Sequence, residues 1–158
     1  MPFEPITFWV SGVPQPGGSK RAFVNKKTGR AIITEDCKRN KGWRSMVADA
    51  ARPVAPTVPI MEPVEMHITF VMPRPKGHFG SGKNAATLKP SAPWGHTVKP
   101  DATKLVRSTE DALTGILWHD DAQIVVQVIR KIYGPQPGAS VTICMPTLDQ
   151  LRRMLEAK

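Results

Sequence analysis

The order of apolar and polar residues along the chain predicts a domain that combines strands with a few helices. Alternating or continuous apolar runs predict strands at 6–13, 21–24, 31–34, 64–72, 123–133 and 139–145. Apolar residues at helical spacing predict helices over 35–52, about 101–117 and 148–157. The fold class that follows is α+β, with a mixed β-sheet of five or six strands packed with two main helices plus a short C-terminal helix.

The second predicted helix has two chemically distinct faces. It begins at Asp101, whose short acidic side chain suits the residue that caps a helix. Gly115 lowers helix propensity, so the last turn is expected to fray or end there. At about 100° per residue, one narrow face is predicted to be buried and collects Leu105, Thr109, Ala112, Leu113 and Ile116. The opposite face carries Lys104, Arg107, Glu110 and Asp111, of which Arg107 and Asp111 are spaced to form an i,i+4 ion pair.

Two further segments bear on the topology. The run from Ile124 to Val126 is apolar on both faces, which predicts a central strand. Glycine and proline at 134–138 predict a turn that pairs the last two strands as an antiparallel hairpin. Residues 74–98 carry prolines, glycines and cations without periodicity, which predicts a flexible basic loop that becomes ordered on DNA.

Length and composition limit the possible classes of protein. The 158 residues predict a single domain, 1–158, and the net charge of +9 favours a polyanionic partner such as DNA or RNA. Cys37 and Cys144 match no metal or redox spacing, as in a reduced cytoplasmic protein. The chain shows no signal peptide and no apolar run of 18 or more residues, so no membrane association is expected.

Cations that could contact phosphates occur at three places in the chain. The candidates are Lys20, Arg21, Lys26 and Lys27 beside a glycine-rich turn, Lys76, Lys83 and Lys89 in the 74–98 loop, and Lys99 before the second helix. For each of these cations, the alternative is that it is only solvated by water and contacts no phosphate. For the 74–98 loop, the alternative is an unstructured surface excursion.

Carboxylates between residues 101 and 121 are the candidates for chemistry. Asp101 stands at the start of the second helix, and Asp120 and Asp121 stand before the following strand. Carboxylates that face one point repel each other unless a hard cation such as Mg²⁺ lies between them. The alternatives are a helix cap for Asp101 and a solvated turn for the pair. Local geometry separates Asp101 from the pair by a helix length, so their convergence is a hypothesis about tertiary structure.

Three short motifs in this segment resemble the signature of the RusA family of Holliday junction resolvases, especially the phage-encoded members. They are Lys99-Pro100-Asp101, the run from Asp111 to Gly115, and Asp120-Asp121-Ala122-Gln123 before an apolar strand. Weaker similarity extends to residues 12–21 and 133–141. The resemblance implies a RusA-like fold and a homodimeric, Mg²⁺- or Mn²⁺-dependent endonuclease that cuts four-way DNA junctions. It also implies a cytoplasmic location, in the host cell if the protein is phage-encoded.

The resemblance also implies roles for individual residues. The family's metal-binding acids correspond to Asp101 and Asp121, with Asp120 adjacent, and its catalytic helix lysine corresponds to Arg107. Arg107 and Lys104 are then expected to hold the scissile phosphate. The chain departs from the family where the second acid of the opening motif is Thr103 and the following asparagine is Lys104.

The departure at Thr103 leaves open which group replaces the missing acid and whether the protein cleaves junctions. The Thr103 hydroxyl, Asp111 or Asp120 could compensate for the missing acid, although loss of an anionic ligand should weaken metal binding. The alternatives to junction cleavage are a non-catalytic, structure-selective binder of branched DNA and a nuclease for flaps or forks.

Overall fold

A computed structural model describes residues 3–18, 20–35 and 39–156 of the chain. The described strands are β1 Ile6–Ser11, β2 Lys20–Val24, β3 Ala31–Glu35, β4 Val64–Pro73, β5 Ile124–Gly134 and β6 Gly138–Cys144. The described helices are α1 Asn40–Ala51, α2 Ala102–Leu113 and α3 Leu148–Glu156. None of these helices is long and apolar enough to cross a membrane. The predicted α+β class is confirmed, with the six strands divided between a four-stranded mixed sheet and the separate β2–β3 pair.

The four-stranded sheet has the order β1-β6-β4-β5. β4 is a central strand that runs parallel to β5 and antiparallel to β6. Its alternate side chains Met66, Ile68 and Phe70 are fully buried, as a strand with one face on the core requires. The core therefore lies between this face of the sheet and helices α1 and α2.

Two topological predictions were wrong. β6 does not form a hairpin with β5, since it lies between β1 and β4, and β5 is an edge strand instead of a central one. Two strand spacings amount to about 10 Å, which the three residues of 135–137 can span. β6 takes the inner position because Ala139, Val141 and Ile143 are fully buried there, whereas Val125 of β5 is exposed.

Helices α1 and α2 pack against each other through buried polar contacts as well as apolar ones. Trp43 Nε1 donates to Thr109 Oγ1 at 3.3 Å, and Ser108 Oγ donates to Asn40 Oδ1. The predicted buried face of α2 is confirmed at its first four members, and Ile116 is partly buried. Val106 and Ser108 are also buried because α2 contacts both the sheet and α1.

α1 begins later than predicted, whereas α2 ends in the turn where Gly115 was expected to end it. α2 ends at Leu113 because Thr114 leaves the helical conformation and Gly115 has a φ of 78°, a left-handed value that favours glycine. α1 was predicted from residue 35, but β3 extends to Glu35 and α1 begins at Asn40. Residues 36–38 lie outside the described part.

The segment at 74–98, predicted to be a flexible loop, has a defined conformation around Tyr133. The Arg74 guanidinium lies 5.3 Å from the centroid of the Tyr133 ring and donates to the Pro93 carbonyl at 2.7 Å. His78 and His96 contact the same ring. Burial, followed by the charge of Lys131, lowers the pKa of His96. The contacts with Tyr133 that organise the segment are long-range ones, which a search for periodicity cannot detect.

The end of this segment also covers the outer edge of β5. The Tyr133 amide donates to the Trp94 carbonyl at 2.8 Å, and the His96 amide donates to the Lys131 carbonyl at 3.1 Å. Lys131 Nζ then donates to the carbonyls of Val98 at 2.8 Å and Pro100 at 2.6 Å. The edge strand is thereby protected, and the chain is held in place where it enters α2.

Candidate functional site

A cleft of about 520 Å³ lies beside the N-terminal end of α2. Its walls are the segment 13–18, the start of α1 and the residues that lead into α2. The Gly17 amide donates to the Lys104 carbonyl at 2.9 Å, and a Cβ at Gly17 would lie 3.0 Å from the Ser108 Cβ. Segment 13–18 packs this closely on α2 because residue 17 has no side chain, and a larger residue would push the two apart.

Asp101 lies in this cleft with its carboxylate accessible. It is the N-cap residue of α2, as predicted, but its side chain accepts no capping hydrogen bond. The side chain is 58% exposed, and its Oδ2 lies 3.7 Å from Lys104 Nζ. Asp101 thus occupies the capping position without acting as a cap, and its oxygens can bind a cation.

Cations surround Asp101. Lys99, Lys104 and Arg39 line the cleft, and the Arg107 side chain crosses Gly18 so closely that a Cβ there would lie 2.7 Å from the Arg107 Cδ. Gly18 also has a φ of 80°, so glycine is favoured there for two reasons. The cations that line the cleft can bind a phosphate beside the Asp101 carboxylate.

Asp121 is held at the other end of α2. Its Oδ1 accepts hydrogen bonds from Thr114 Oγ1 and, at 2.9 Å, from Trp118 Nε1. Trp118 is fully buried, so the exposed carboxylate is attached to the core. Both bonds end on Oδ1, and Oδ2 remains available to a ligand.

Asp120 has a structural role in the same turn. Its Oδ1 accepts a hydrogen bond from the Ala122 amide at 2.8 Å, which begins the short helical turn at Asp121–Gln123. This bond is part of a capping box completed by Gln123. The predicted metal role of Asp120 therefore competes with a capping role.

Gln123 is the residue whose role sequence reasoning missed, although it belongs to the third motif. Its Oε1 accepts from the amides of His119 at 2.9 Å and Asp120 at 2.8 Å. Its Nε2 donates to the carbonyls of Ile60 at 2.9 Å and Glu62 at 3.0 Å. One amide side chain thus attaches the turn that carries Asp121 to a neighbouring segment.

Glu110 adds a further acid near Asp121. It is half-buried and its Oε1 accepts a hydrogen bond from Gln127 Nε2. Burial raises the pKa of Glu110, and the nearby charges of Asp121 and Asp111 raise it further. Asp111 Oδ2 lies 3.7 Å from Arg44 Nη1, so its ion pair is with α1, whereas the sequence predicted one with Arg107.

The predicted convergence of Asp101, Asp120 and Asp121 on one ion does not occur within a chain. Asp101 precedes α2, whereas Asp121 is bonded to Thr114 at its end, about 20 Å away at a rise of 1.5 Å per residue. β5 does run back along α2, since Gln127 meets Glu110 and Lys131 meets Pro100. The aspartate pair precedes that strand, however, and so lies at the far end.

The predicted DNA-contacting cations are distributed over the surface, with one in the cleft. Lys99 lines the cleft. The exposed residues Lys76, Lys83 and Lys89 lie in the 74–98 segment, and Lys89 Nζ donates to the Gly77 carbonyl at 2.8 Å. The exposed residues Lys26 and Lys27 lie in the β2–β3 turn. The side chains of Lys20 and Arg21 lie outside the described part.

Replacing Glu110 by Gln is expected to stabilise the protein at neutral pH. Because the pKa of Glu110 is raised in the folded state, the folded protein binds a proton that the unfolded chain releases, and stability falls as pH rises through this range. Gln keeps the oxygen that accepts from Gln127 but carries no charge. Urea denaturation should give a gain of less than about 1 kcal/mol at pH 7, because a half-exposed group is screened.

The pH dependence tests the cause of this gain. The difference between Glu110→Gln and the wild type should disappear below about pH 3, where glutamate is protonated in both states. The same change at exposed Glu4 is the control and should have no effect at any pH. A Glu110→Gln variant less stable than the wild type at pH 7 would contradict the assignment.

Comparison with known proteins shows to which family the chain belongs. The family described as endodeoxyribonuclease RusA matches residues 14–144, from the cleft loop to the last residue of β6. An uncharacterized protein, YqaN of Bacillus subtilis (strain 168), is 30% identical over 141 residues, which cover 87% of this chain and 94% of the relative. The matched region includes both ends of α2 and the cleft beside it. The resemblance inferred from the three motifs is thereby confirmed, and the chain belongs to the RusA family of endodeoxyribonucleases.

Proposed function

We propose that this protein is a Mg²⁺- or Mn²⁺-dependent endonuclease that resolves four-way DNA junctions as a homodimer. The observation that carries the proposal is the placement of the two family acids, Asp101 and Asp121, on exposed positions at opposite ends of one helix. Neither end alone offers the acids that correspond to the family's metal site. A second copy of the chain can bring them together.

Two protomers related by a twofold axis beside α2 would form two metal sites, each with acids from both protomers. If the helices of two protomers lie antiparallel, Asp101 of one protomer faces Asp121 of the other, and the same pairing recurs on the opposite side of the axis. The solvent-facing side of α2 available for this contact carries Thr103, Arg107, Asp111 and, just after the helix, Thr114. The two sites would lie about 20 Å apart along the helices, one for each strand to be cut.

The donor set suits a hard divalent cation. Asp101 accepts no capping hydrogen bond. Both hydrogen bonds that anchor Asp121 end on its Oδ1, so its Oδ2 can bind a cation. Carboxylate oxygens with waters and a phosphate oxygen make the usual environment of Mg²⁺. Such an ion, when bound, polarises the scissile phosphate and lowers the pKa of a bound water.

The cations of the cleft have a different role. Lys99 and Lys104 bind and orient the phosphate beside Asp101, which brings the scissile bond to the carboxylates. Arg107 stabilises negative charge, because a guanidinium serves as a fixed cation and not as a proton donor. The exposed lysines of the 74–98 segment and the β2–β3 turn extend the positive surface for the junction arms.

Thr103→Asp is expected to lower the Mg²⁺ concentration needed for half-maximal nicking by about tenfold, since a further anionic ligand next to Asp101 strengthens binding of a hard cation. Thr103 lies exposed in the first turn of α2, so the new carboxylate needs no rearrangement of the core. The measurement is a Mg²⁺ titration of nicking on a synthetic four-way junction. Thr103→Asn is the uncharged control, and an equal shift in both variants would show that charge is not the cause.

A non-catalytic binder of branched DNA is the second candidate. The observation in its favour is that Thr103 and Lys104 replace an acid and an amide of the family motif, and Lys104 pairs with Asp101. Nicking of four-way junctions, forks and flaps should be compared in Mg²⁺ and Mn²⁺. Tight, salt-sensitive junction binding without any nicking would support the binder. If flaps or forks are nicked faster than four-way junctions, the protein is a nuclease for flaps or forks instead of a junction resolvase.

A further inference from the structure

A second group of potential metal ligands lies on the sheet, on the face opposite the one that packs on α1 and α2. On β4, Met66 and Ile68 point into the core, so by alternation Glu65 and His67 point to the opposite face. Cys144 of β6 is the register partner of Glu65 in the antiparallel β4–β6 pair. Two adjacent strands therefore present a carboxylate, an imidazole and a thiol side by side.

The three side chains are close enough to act together. One candidate ligand atom from each lies within 4.8 Å of the other two, and Glu65 Oε1 is 2.6 Å from His67 Nε2. In the described part of the chain, this is the one group of three or more histidine, cysteine or acidic side chains with that proximity. The Glu65 side chain is only 4% exposed, whereas that of His67 is 35% exposed. The group is thus a largely buried polar cluster with one side open to solvent.

We propose that Glu65, His67 and Cys144 form a Zn²⁺ site that is separate from the nuclease acids. Oxygen, nitrogen and sulfur donors together are the ligands of Zn²⁺, whereas Mg²⁺ prefers oxygen alone. Ligand atoms bound to one tetrahedral ion lie roughly 3.3–3.8 Å apart, so side-chain movements of about 1 Å complete the set. Three protein ligands leave a fourth position, which water can fill from the side of His67.

The backbone scaffold favours this geometry. Hydrogen-bonded strands hold Glu65 and Cys144 opposite each other, and His67 is two residues along the same strand face. Binding requires the thiolate, so the Cys144 proton is released to solvent as the sulfur–zinc bond forms. The Glu65 carboxylate is buried beside His67, and a cation bound there would neutralise its charge.

The test uses the full-length protein, freed of metal by a chelator and titrated with Zn²⁺ and with Co²⁺. We expect one equivalent of Zn²⁺ to bind with submicromolar affinity, and Co²⁺ to give a thiolate charge-transfer band in the near ultraviolet. Cys144→Ser should abolish the band and weaken Zn²⁺ binding at least about 100-fold. Cys37→Ser is the matched control and should change neither.

Two further readouts keep the test decisive. In the Cys37→Ser variant, Zn²⁺ should protect the remaining thiol from iodoacetamide, and circular dichroism should show that Cys144→Ser is folded. If it is unfolded, His67→Gln, at a more exposed position, replaces it and should give the same loss of binding. Absence of Zn²⁺ binding by the wild type, or retention of the cobalt band in Cys144→Ser, would overturn the proposal. Asp101→Asn should bind Zn²⁺ normally, so the outcome is independent of the proposed nuclease activity.

Discussion

Dimers that combine one Asp101→Asn protomer with one Asp121→Asn protomer are expected to nick a four-way DNA junction, whereas each variant by itself is inactive. If each site takes Asp101 from one protomer and Asp121 from the other, the mixed dimer has one site with both substitutions and one site that is intact. Loss of a metal-binding carboxylate should lower the nicking rate of each pure variant by about 100-fold or more. The mixed dimer should then cut one strand and leave the opposing strand uncut.

The experiment requires that the two variants be co-expressed with different tags and purified in two steps. Asparagine at position 121 keeps an oxygen that can accept from Trp118 and Thr114, so the turn should retain its structure. A doubly tagged dimer with Asp101→Asn in both protomers is the control and should stay inactive. Junction binding, measured by fluorescence anisotropy, should be unchanged in all of them.

The result separates three possibilities. If both acids of a site came from one chain, the mixed dimer would have a substitution in each site and would be as inactive as the pure variants. If the wild type did not nick at all, the nuclease proposal itself would fail and the binder would remain. If the mixed dimer nicks and neither pure variant does, the result supports a site composed of residues from both protomers. Such a site agrees with the separation of about 20 Å between Asp101 and Asp121 within one protomer.

Replacing Gln123 by Ala is expected to destabilise the protein by about 2–4 kcal/mol. The side chain makes four hydrogen bonds to backbone groups, with typical net values of about 0.5–1.5 kcal/mol each, and truncation leaves partly buried partners unsatisfied. The measurement is the free energy of unfolding from urea denaturation. Nicking should also fall, because the turn that presents Asp121 loses its attachment to the segment at Ile60.

Two substitutions serve as controls for Gln123→Ala. Gln123→Glu keeps an acceptor for His119 and Asp120 but turns a carboxylate oxygen toward the carbonyls of Ile60 and Glu62, so it should destabilise the protein as well. Gln136→Ala, in the exposed turn before β6, should stay within about 0.5 kcal/mol of the wild type. A loss below about 1 kcal/mol for Gln123→Ala would contradict the anchoring role.

The elements whose pattern depends on neighbours in sequence were predictable. The buried face of α2 followed from helical spacing because one stripe of that helix faces the core wherever the helix packs. The early end of α2 also has a local cause, since Gly115 takes a left-handed conformation there. The resemblance carried by three short motifs identified the family, although no pattern in the sequence showed how the acids are arranged.

The choice of partners between elements was not predictable. The apolar run at Ile124–Val126 suggested a central strand, yet β5 lies at the edge and is protected there by residues of the 74–98 segment. Similarly, the pairing of β4 with β6 buries Glu65 beside Cys144, a contact that the sequence of neither strand indicates. Both outcomes depend on which strands pair, and strand pairing is decided by contacts between residues far apart in sequence.

By itself, the sequence determined the kinds of elements, the basic charge and the acids available for metal binding, because each depends on residue identity or local spacing. Tertiary structure decided where those acids lie. The antiparallel course of α2 and β5 places Asp101 and Asp121 at opposite ends of a rigid helix, and the β4–β6 register brings Cys144 to Glu65 across nearly 80 positions. Such placements are set by the packing of the whole core, and no local pattern encodes them.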